Sequence, residues 1–411
     1  MTKSIDTRCC IVGGGPAGMM LGYLLARAGV DVTVLEKHAD FLRDFRGDTI
    51  HPSTLELMHE LGILDDFLKL PHQRVQTMAG QFGDTTFTAA DFTHLPTQCK
   101  FLAFMPQWDF LNFLADKGRR YPSFRLLMKT EATGLIEEAG AITGVRATAA
   151  DGPIEVRAPL TVGCDGRHSL MRTSARLEVE DIGAPMDVLW FHVSRRPNDP
   201  PETMGVFTAG RVFIAINRGD YWQCGYVIPK GTLDEVHRQG LPAFRNEVLR
   251  SMPALAGRME EIADWDKVKL LTVAVDRLKV WHRRGLLCIG DAAHAMSPVG
   301  GVGINLAVQD AVATANILAA PLRAGAVDES LLARVQSRRE FPTRVTQRAQ
   351  VLIQNNVITG ALGGKSDLKA PLPVRLLKRF PILRRIPARL VGMGVRPEHV
   401  QTMEVATGAG G

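Results

Sequence analysis

Cysteine is scarce in this chain, and its placement forms neither a ligand set nor a redox pair. Cys9, Cys10, Cys99, Cys164, Cys224 and Cys288 sit mostly in apolar, strand-like runs, with no C-x-x-C among them. This argues for reduced thiols in a cytosol and against zinc or a working disulfide, so no metal is expected. Long apolar runs are also missing: no stretch of 18 occurs, and the "MTKSIDTR" before Cys9 is too short and polar for a signal peptide. A soluble, cytoplasmic protein without a transmembrane segment is the expectation. Concentrated basic runs of the nucleic-acid-binding kind are lacking. Lys and Arg number 49 against 43 Asp and Glu, a mild net charge of +6 that suits anionic small ligands but not DNA or RNA. No internal repeat stands out, and low complexity is confined to the terminal "TGAGG". What is present is a 411-residue chain, 45% hydrophobic, long enough for a large core and two domains.

Only one dinucleotide-type loop occurs. "CCIVGGGPAGMMLGYLLARAGVDVTVLEK", Cys9 to Lys37, reads as strand, tight turn, helix and strand. Gly13, Gly15 and Gly18 fall at the G-x-G-x-x-G spacing. The first permits the turn, the second lets backbone approach a pyrophosphate, and the third lets the helix press on the strand. The helix N-terminus offers free N–H groups and a positive dipole end. Glu36 closes the second strand, where a carboxylate accepts hydrogen bonds from an adenosine ribose.

Two further glycine motifs follow. In "APLTVGCDGRHSLMRTSARL" an apolar strand, 160 to 162, runs into Asp165 and Gly166 and then a helix in which Ser169 and Arg172 share a face. In "GLLCIGDAAHAMSPVGGVGINLAVQDAVATANILAAPL" a buried strand, 286 to 289, ends at Gly290-Asp291, and a long helix starts at Ile304 behind Gly300, Gly301 and Gly303. Ligands of open α/β sheets lie at strand carboxyl ends, so Asp291 and the second helix start point to the same cofactor as the first loop. Both aspartates also have a plainer reading as caps of the following helix. His294, beside Asp291, is expected to hydrogen-bond backbone rather than to act in catalysis.

These three motifs in this order resemble the class A flavoprotein monooxygenases of the para-hydroxybenzoate hydroxylase fold, over about residues 7 to 360. The resemblance implies an α/β chain: a Rossmann-like FAD-binding domain of the glutathione reductase and para-hydroxybenzoate hydroxylase type, an inserted antiparallel-sheet substrate domain, and C-terminal helices. In that family the first motif binds the ADP half of noncovalent FAD, which implies Gly13, Gly15, Ala17, Gly18, Glu36 and Lys37. The third implies Asp291 on the ribityl chain, and Pro298, Gly300, Gly301, Gly303 and Asn305 beside the isoalloxazine. The middle motif serves FAD and NAD(P)H, implying Asp165, Gly166 and Arg172. "DFRGDTIHP" and "MPQWDFLNFL" match smaller FAD-contacting elements, implying Arg46, which otherwise reads as a surface ion pair, and Gln107.

Because the motifs must meet at one ligand, the cofactor domain is expected to be discontinuous: 1–74, 98–180 and 268–325. Residues 75–97 and 181–267 form the substrate domain, in which 185–195, 203–216 and 221–229 read as antiparallel strands and 232–250 as helical. Such a sheet laid over the flavin walls a pocket. Trp190, His192, Phe213, Tyr221 and Tyr226 lie on it and, with Pro298, are the candidate substrate contacts. Alternation does not say which of them face the flavin. Residues 326–411 form a C-terminal helical segment and tail. Prolines at 371, 373, 381, 387 and 397 break its basic, apolar stretch into short pieces, which read as a packed tail or as a peripheral membrane contact.

The absence of a second glycine fingerprint argues against two-site flavin reductases and Baeyer–Villiger enzymes. By resemblance, NADH or NADPH visits to reduce FAD, O2 adds at the flavin C4a, and the hydroperoxide passes an OH to an aromatic or related planar small molecule. A halogenase on the same fold is disfavoured because "CGYVIP" has Cys224 and Tyr226 where that signature needs tryptophans. A reductase or oxidase that never hydroxylates shares the same motifs. A redox-silent scaffold like the Rab escort proteins would share the fold, but Asp291 and the "PVGGVGIN" loop speak against it. No residue stands out as a catalytic base. The chain is expected to be a monomer or homodimer.

Overall fold

A computed structural model describes residues 3–42, 49–200, 203–363 and 370–405. Short, wholly buried runs of β-branched and thiol side chains make the central sheet, whose strands are covered on both faces. Its order is His282–Arg283, Leu286–Cys288, Leu160–Gly163, Cys9–Val12, Val32–Leu35 and Phe124–Leu127. All neighbours are parallel except the first pair, a hairpin. The register sets Gly163 beside both Val12 and Cys288. The loops that follow the three motif strands therefore leave the sheet side by side. On one face the helices Pro16–Arg27 and Gly303–Ala324 pack so closely that a Cβ on Gly290 would lie 3.2 Å from that of Ala17 and 3.3 Å from that of Ala307. The other face is covered by a four-stranded sheet through Leu135, Val145 and Val156.

A second sheet of seven strands runs Lys269–Leu271, Met186–Ser194, Tyr221–Pro229, Arg211–Asn217, Met204–Thr208, Thr77–Phe82 and Thr85–Asp91. It is antiparallel save for the pair Met204–Thr208 and Thr77–Phe82, which is parallel. Its outer face packs Phe191, Phe213 and Trp222 against Phe244 and Val248 of a helical layer. That layer is two helices, Leu233–Gln239 and Leu241–Ser251, rather than the one expected, because the chain breaks at Gly240 and Pro242 opens a new first turn.

The helix Glu329–Ile353 packs on Gly303–Ala324. Beyond it, the helices Leu372–Arg379 and Arg385–Gly392 cross the edge strand Thr85–Asp91. Among the described residues one helical stretch, Val299–Ala324, is long and apolar enough to cross a membrane, and 83% of its apolar window is buried inside the protein, as in a core helix.

Candidate functional site

Gly13 shows why the first turn needs glycine. Its φ is +107°, and a Cβ there would sit 2.4 Å from the Cys164 carbonyl oxygen, so the first and second motif loops touch through bare backbone. At Gly18 a Cβ would lie 2.0 Å from the Gly13 carbonyl oxygen, the close helix–strand approach that the spacing implies. At Gly15, the N-cap of Pro16–Arg27, it would meet nothing within 4 Å. No side chain caps this helix, so its first N–H groups stay available at the strand ends. Ala17 is buried in the first turn, and Lys37 points to solvent.

The Glu36 carboxylate is buried and folds back on the loop. It accepts from the Gly14 N–H at 3.0 Å and from the His38 N–H at 3.0 Å. A carboxylate oxygen accepts from hydroxyl as well as from backbone donors, the chemistry a ribose requires. Gln107 opens the helix Gln107–Gly118, half-buried. Arg46 lies outside the described residues.

The second motif is held more by the protein than toward an open site. Ser169 caps the helix Leu170–Ser174, its Oγ accepting from the Arg172 N–H at 3.0 Å, and Asp165 braces that cap, accepting from Ser169 Oγ at 2.5 Å and from the Met171 N–H at 3.1 Å. Burial pushes its carboxyl above the usual range, and these bonds offset part of the effect. Arg172 is engaged by Asp276 at 3.3 Å and by the Arg167 carbonyl, while a Cβ on Gly166 would meet no neighbour.

The third motif stands at the centre. Asp291, half-exposed in the turn after Leu286–Cys288, has its carboxylate 3.9 Å from Arg167. Pro298 is half-buried ahead of the turn Val299–Gly301, in which Gly300 and Gly301 both take positive φ, +80° and +63°. The helix from Gly303 starts there, again without a side-chain cap. Asn305 Oδ1 accepts from Ser53 Oγ at 2.7 Å and from Thr54 Oγ1 at 3.1 Å, tying the loop to the helix Pro52–Glu60.

The N-cap residue of that helix, His51, is a candidate that sequence reading passed over. It is fully buried beside the Gly300 and Thr49 backbone, and neither ring nitrogen completes a hydrogen bond of good geometry. Burial holds its pKa down at about 4, against a small upward pull from that backbone, so the ring is neutral near pH 7. The signal was present in "TIHP", a polar ring next to the first proline of a helix. His294 differs from expectation in its partner. Its Nε2 bonds Asp310 Oδ2 at 2.6 Å, and Asp310 also receives the Gly290 N–H and Arg339 Nε. The histidine thus ties the motif strand to two helices.

The seven-stranded sheet sorts the substrate candidates by face. Trp190 points toward the loop, in a cluster with Val188, Val212, Val227 and Val299. His192 and Tyr221 share its side of the sheet, with their rings 5.7 Å apart, and His192 is exposed. Phe213 and Tyr226 are turned the other way: both pack in the outer cluster, and Tyr226 meets Phe244 edge-on at 5.7 Å. The period of two carries them behind the wall, so they are corrected from substrate contacts to outer-core residues. On the loop-facing side Gly225, Ile214, Gly205 and Gly80 stand in one cross-strand row. Aromatic rings lie over the glycines. A Cβ would come 3.1 Å from the Trp190 ring at Gly225, 3.2 Å from Phe207 at Gly205 and 2.9 Å from Phe87 at Gly80.

Two uncapped helix starts, bare glycine backbone and a ribose-ready carboxylate gathered at adjacent strand ends fit a dinucleotide with a long extension, as FAD is. Comparison with known proteins agrees. The family described as "FAD binding domain" matches residues 6–349. The chain is 31% identical, over 98% of its own length and 97% of the other, to a 6-methylpretetramide 4-monooxygenase of Streptomyces rimosus. It is 28% identical, over 84% of its length and 69% of the other, to a 12-dehydrotetracycline 5-monooxygenase/anhydrotetracycline 6-monooxygenase of the same species. p-Nitrophenol 4-monooxygenase PnpA of Pseudomonas putida shares the fold, with a TM-score of 0.76 at 19% identity over 94% of this chain and 97% of that one. The chain belongs to the FAD-binding family of class A flavoprotein monooxygenases. It is an NAD(P)H- and O2-dependent aromatic hydroxylase.

Proposed function

We propose that this hydroxylase acts on a fused-ring phenolic compound, of the kind that the names of its Streptomyces relatives denote, rather than on a single small ring. The observation that carries the reading is the glycine row. Gly225, Gly205 and Gly80 let Trp190, Phe207 and Phe87 lie down against the sheet, so the wall opposite the loop carries flat aromatic faces beside Ile214, Val188, Val212 and Val227, in a cluster that Ile358 and Ala361 join. A broad planar molecule gains more from such a wall than a monocycle does.

FAD, when bound, would supply the acceptor for a hydride from NAD(P)H and the site of O2 activation. The chain's own residues do the rest. Gly13 to Gly18 and the first helix start receive the pyrophosphate, Glu36 the ribose, and Asp291 the ribityl hydroxyls, with Ala17 and Gln107 lining the approach. Pro298 to Gly303 would hold the ring system, and the second helix start beside them has N–H groups that favour negative charge. Asn305, held by Ser53 and Thr54, keeps that loop in register. Trp190 and Val299 close the wall and exclude water, which would otherwise discharge activated oxygen as peroxide. The buried free thiols support a reducing, cytoplasmic setting.

The test is NAD(P)H oxidation by FAD-loaded protein with a series of phenols from one ring to four, product mass being read under oxygen-18. The four-ring compounds should stimulate oxidation at least about tenfold over the one-ring phenols and gain one labelled atom. Stimulation by one-ring phenols alone would overturn the ring-size reading. Rapid oxidation with no label in any product would favour a reductase or oxidase.

A further inference from the structure

The C-terminal helices carry a surface that the monooxygenase reading does not use. In Leu372–Arg379 and again in Arg385–Gly392 the chain repeats one pattern, an aliphatic residue, then Arg three positions on and an aliphatic at the fourth: Leu372, Arg375, Leu376 and Ile386, Arg389, Leu390. At helical spacing these fall on one side of each helix. The opposite side faces inward. Ala388 and Val391 pack with Phe92, Leu95 and Phe104, and a Cβ on Gly392 would strike Leu95 at 2.7 Å. The prolines that shorten the pieces thus do not leave the segment loose, because the edge strand supports it.

The outward side is apolar to an extent that folding leaves uncompensated. Leu372, Ile382 and Ile386 are about 60% exposed, and Leu376, Phe380 and Leu390 are exposed with them. Arg375, Lys378, Arg379, Arg385 and Arg389 interleave, and no Asp or Glu occurs anywhere from 371 to 397. Among the described residues no carboxylate pairs with Arg375, Lys378, Arg379 or Arg389. The same segment backs onto the site. Val391 packs on Met296, Val302 and Leu306, and a Cβ on Gly300 would lie 3.8 Å from it.

We propose that this face docks on the surface of an anionic phospholipid bilayer, the aliphatic and Phe380 side chains entering the headgroup boundary and the arginines meeting lipid phosphates. The proposal goes beyond the hydroxylase reading and does not depend on it. Charge favours this occupant over a second copy of the chain: an isologous contact would set arginine against arginine with no carboxylate within 371–397 to separate them, Asp91 of the edge strand serving Arg385 alone among these cations. Interleaved basic and apolar side chains on exposed helices are what an interfacial contact needs. The loop that carries the flavin ring is then held near the place where an apolar compound concentrates.

The test uses full-length, FAD-loaded protein and sedimentation with vesicles of phosphatidylcholine alone or mixed with phosphatidylglycerol. The parent should bind the mixed vesicles, bind phosphatidylcholine at least about tenfold less, and be released by half-molar salt. Leu376→Gln with Ile386→Gln, and separately Arg375→Gln with Arg379→Gln and Arg389→Gln, should each lower binding about tenfold or more. Flavin content and thermal midpoint should stay at parental values, since these side chains point outward. A parent that ignores both vesicles, or variants that bind as it does, would overturn the proposal. So would a parental dimer in light scattering that the Leu376→Gln, Ile386→Gln protein converts to monomer, since the face would then be a contact between copies. Substrate-stimulated NAD(P)H oxidation without vesicles, followed in the same preparations, reports on the hydroxylase reading separately.

Discussion

A methyl group added at Gly15 meets nothing within 4 Å, and the backbone there, φ −74°, suits any residue, whereas at Gly18 it would lie 2.0 Å from a carbonyl oxygen. The two glycines of one motif therefore separate binding from folding. Gly15→Val should give flavin-free protein with the parent's thermal midpoint but FAD affinity weakened about 100-fold or more, some 2.7 kcal/mol, in a fluorescence titration. Gly18→Val should lower the midpoint itself. A Gly15→Val protein that binds FAD like the parent would remove the pyrophosphate from this loop. His51 makes a different prediction. Its folded pKa, about 4, lies below the ordinary histidine value of about 6.5, so between those pH values the unfolded chain binds more protons and stability falls as pH falls. The loss amounts to about 3 kcal/mol once pH reaches the folded value. His51→Leu should match or exceed the parent at pH 7, because neither ring nitrogen has a good partner to lose, and should not share the acid-side loss. Urea unfolding of both proteins across this window, without flavin, checks it; parallel curves would contradict the burial of His51.

At the scale of elements, charge inside the helix Gly303–Ala324 is the sharpest case. Asp310 is wholly buried. Burial alone would raise its carboxyl, but His294 and Arg339 beside it hold it below the usual carboxylate range. It joins the turn after Leu286–Cys288 to the helix Glu329–Ile353. Asp310→Asn leaves Arg339 with the Glu398 carboxylate and the Arg396 carbonyl, and should cost about 3 kcal/mol in urea unfolding. A cost under about 1 kcal/mol would mean the network is not coupled as drawn. The sequence held the clue, the one acid of a mainly apolar helix, yet its partners lie 16 and 29 residues away and no periodicity names them. Strand faces were illegible for a related reason. The period of two sets Trp190 opposite Phe191 and Phe213 opposite Val212, but which side meets the flavin loop is fixed only when the sheet docks. Tyr226→Phe, behind the wall, should therefore leave substrate-stimulated kcat/KM within about twofold, because its ring packing on Phe244 is kept. A loss well beyond that would put Tyr226 back among the substrate contacts.

Over the whole molecule, the glycine motifs were readable because each is a local demand, a close approach or a positive φ that other residues rarely meet. Their meeting point was readable through the rule that ligands sit at strand carboxyl ends. The C-terminal stretch left two readings open, a packed tail and a peripheral membrane contact, since the prolines that cut it into short pieces hide the fact that an edge strand holds those pieces in place. The cofactor residues proposed run from Gly13 to Asn305, and the segment from Ile289 to Gly303 touches both sheets, the central one through the Ile289 N–H, which donates to the Gly163 carbonyl, and the seven-stranded one through Val299. A ligand that binds only the folded chain stabilises it by about 2.7 kcal/mol at 100 times its dissociation constant. FAD should accordingly raise the thermal midpoint of flavin-free protein, and because the ligand loop is shared, calorimetry should show one transition moving as a whole. FMN, lacking the adenosine that the Gly13 loop and Glu36 would hold, should shift it little at equal concentration. Two transitions, of which FAD moves only one, would mean that the seven-stranded sheet folds independently of the site it walls; an equal shift with FMN would take the adenosine out of the Gly13 loop.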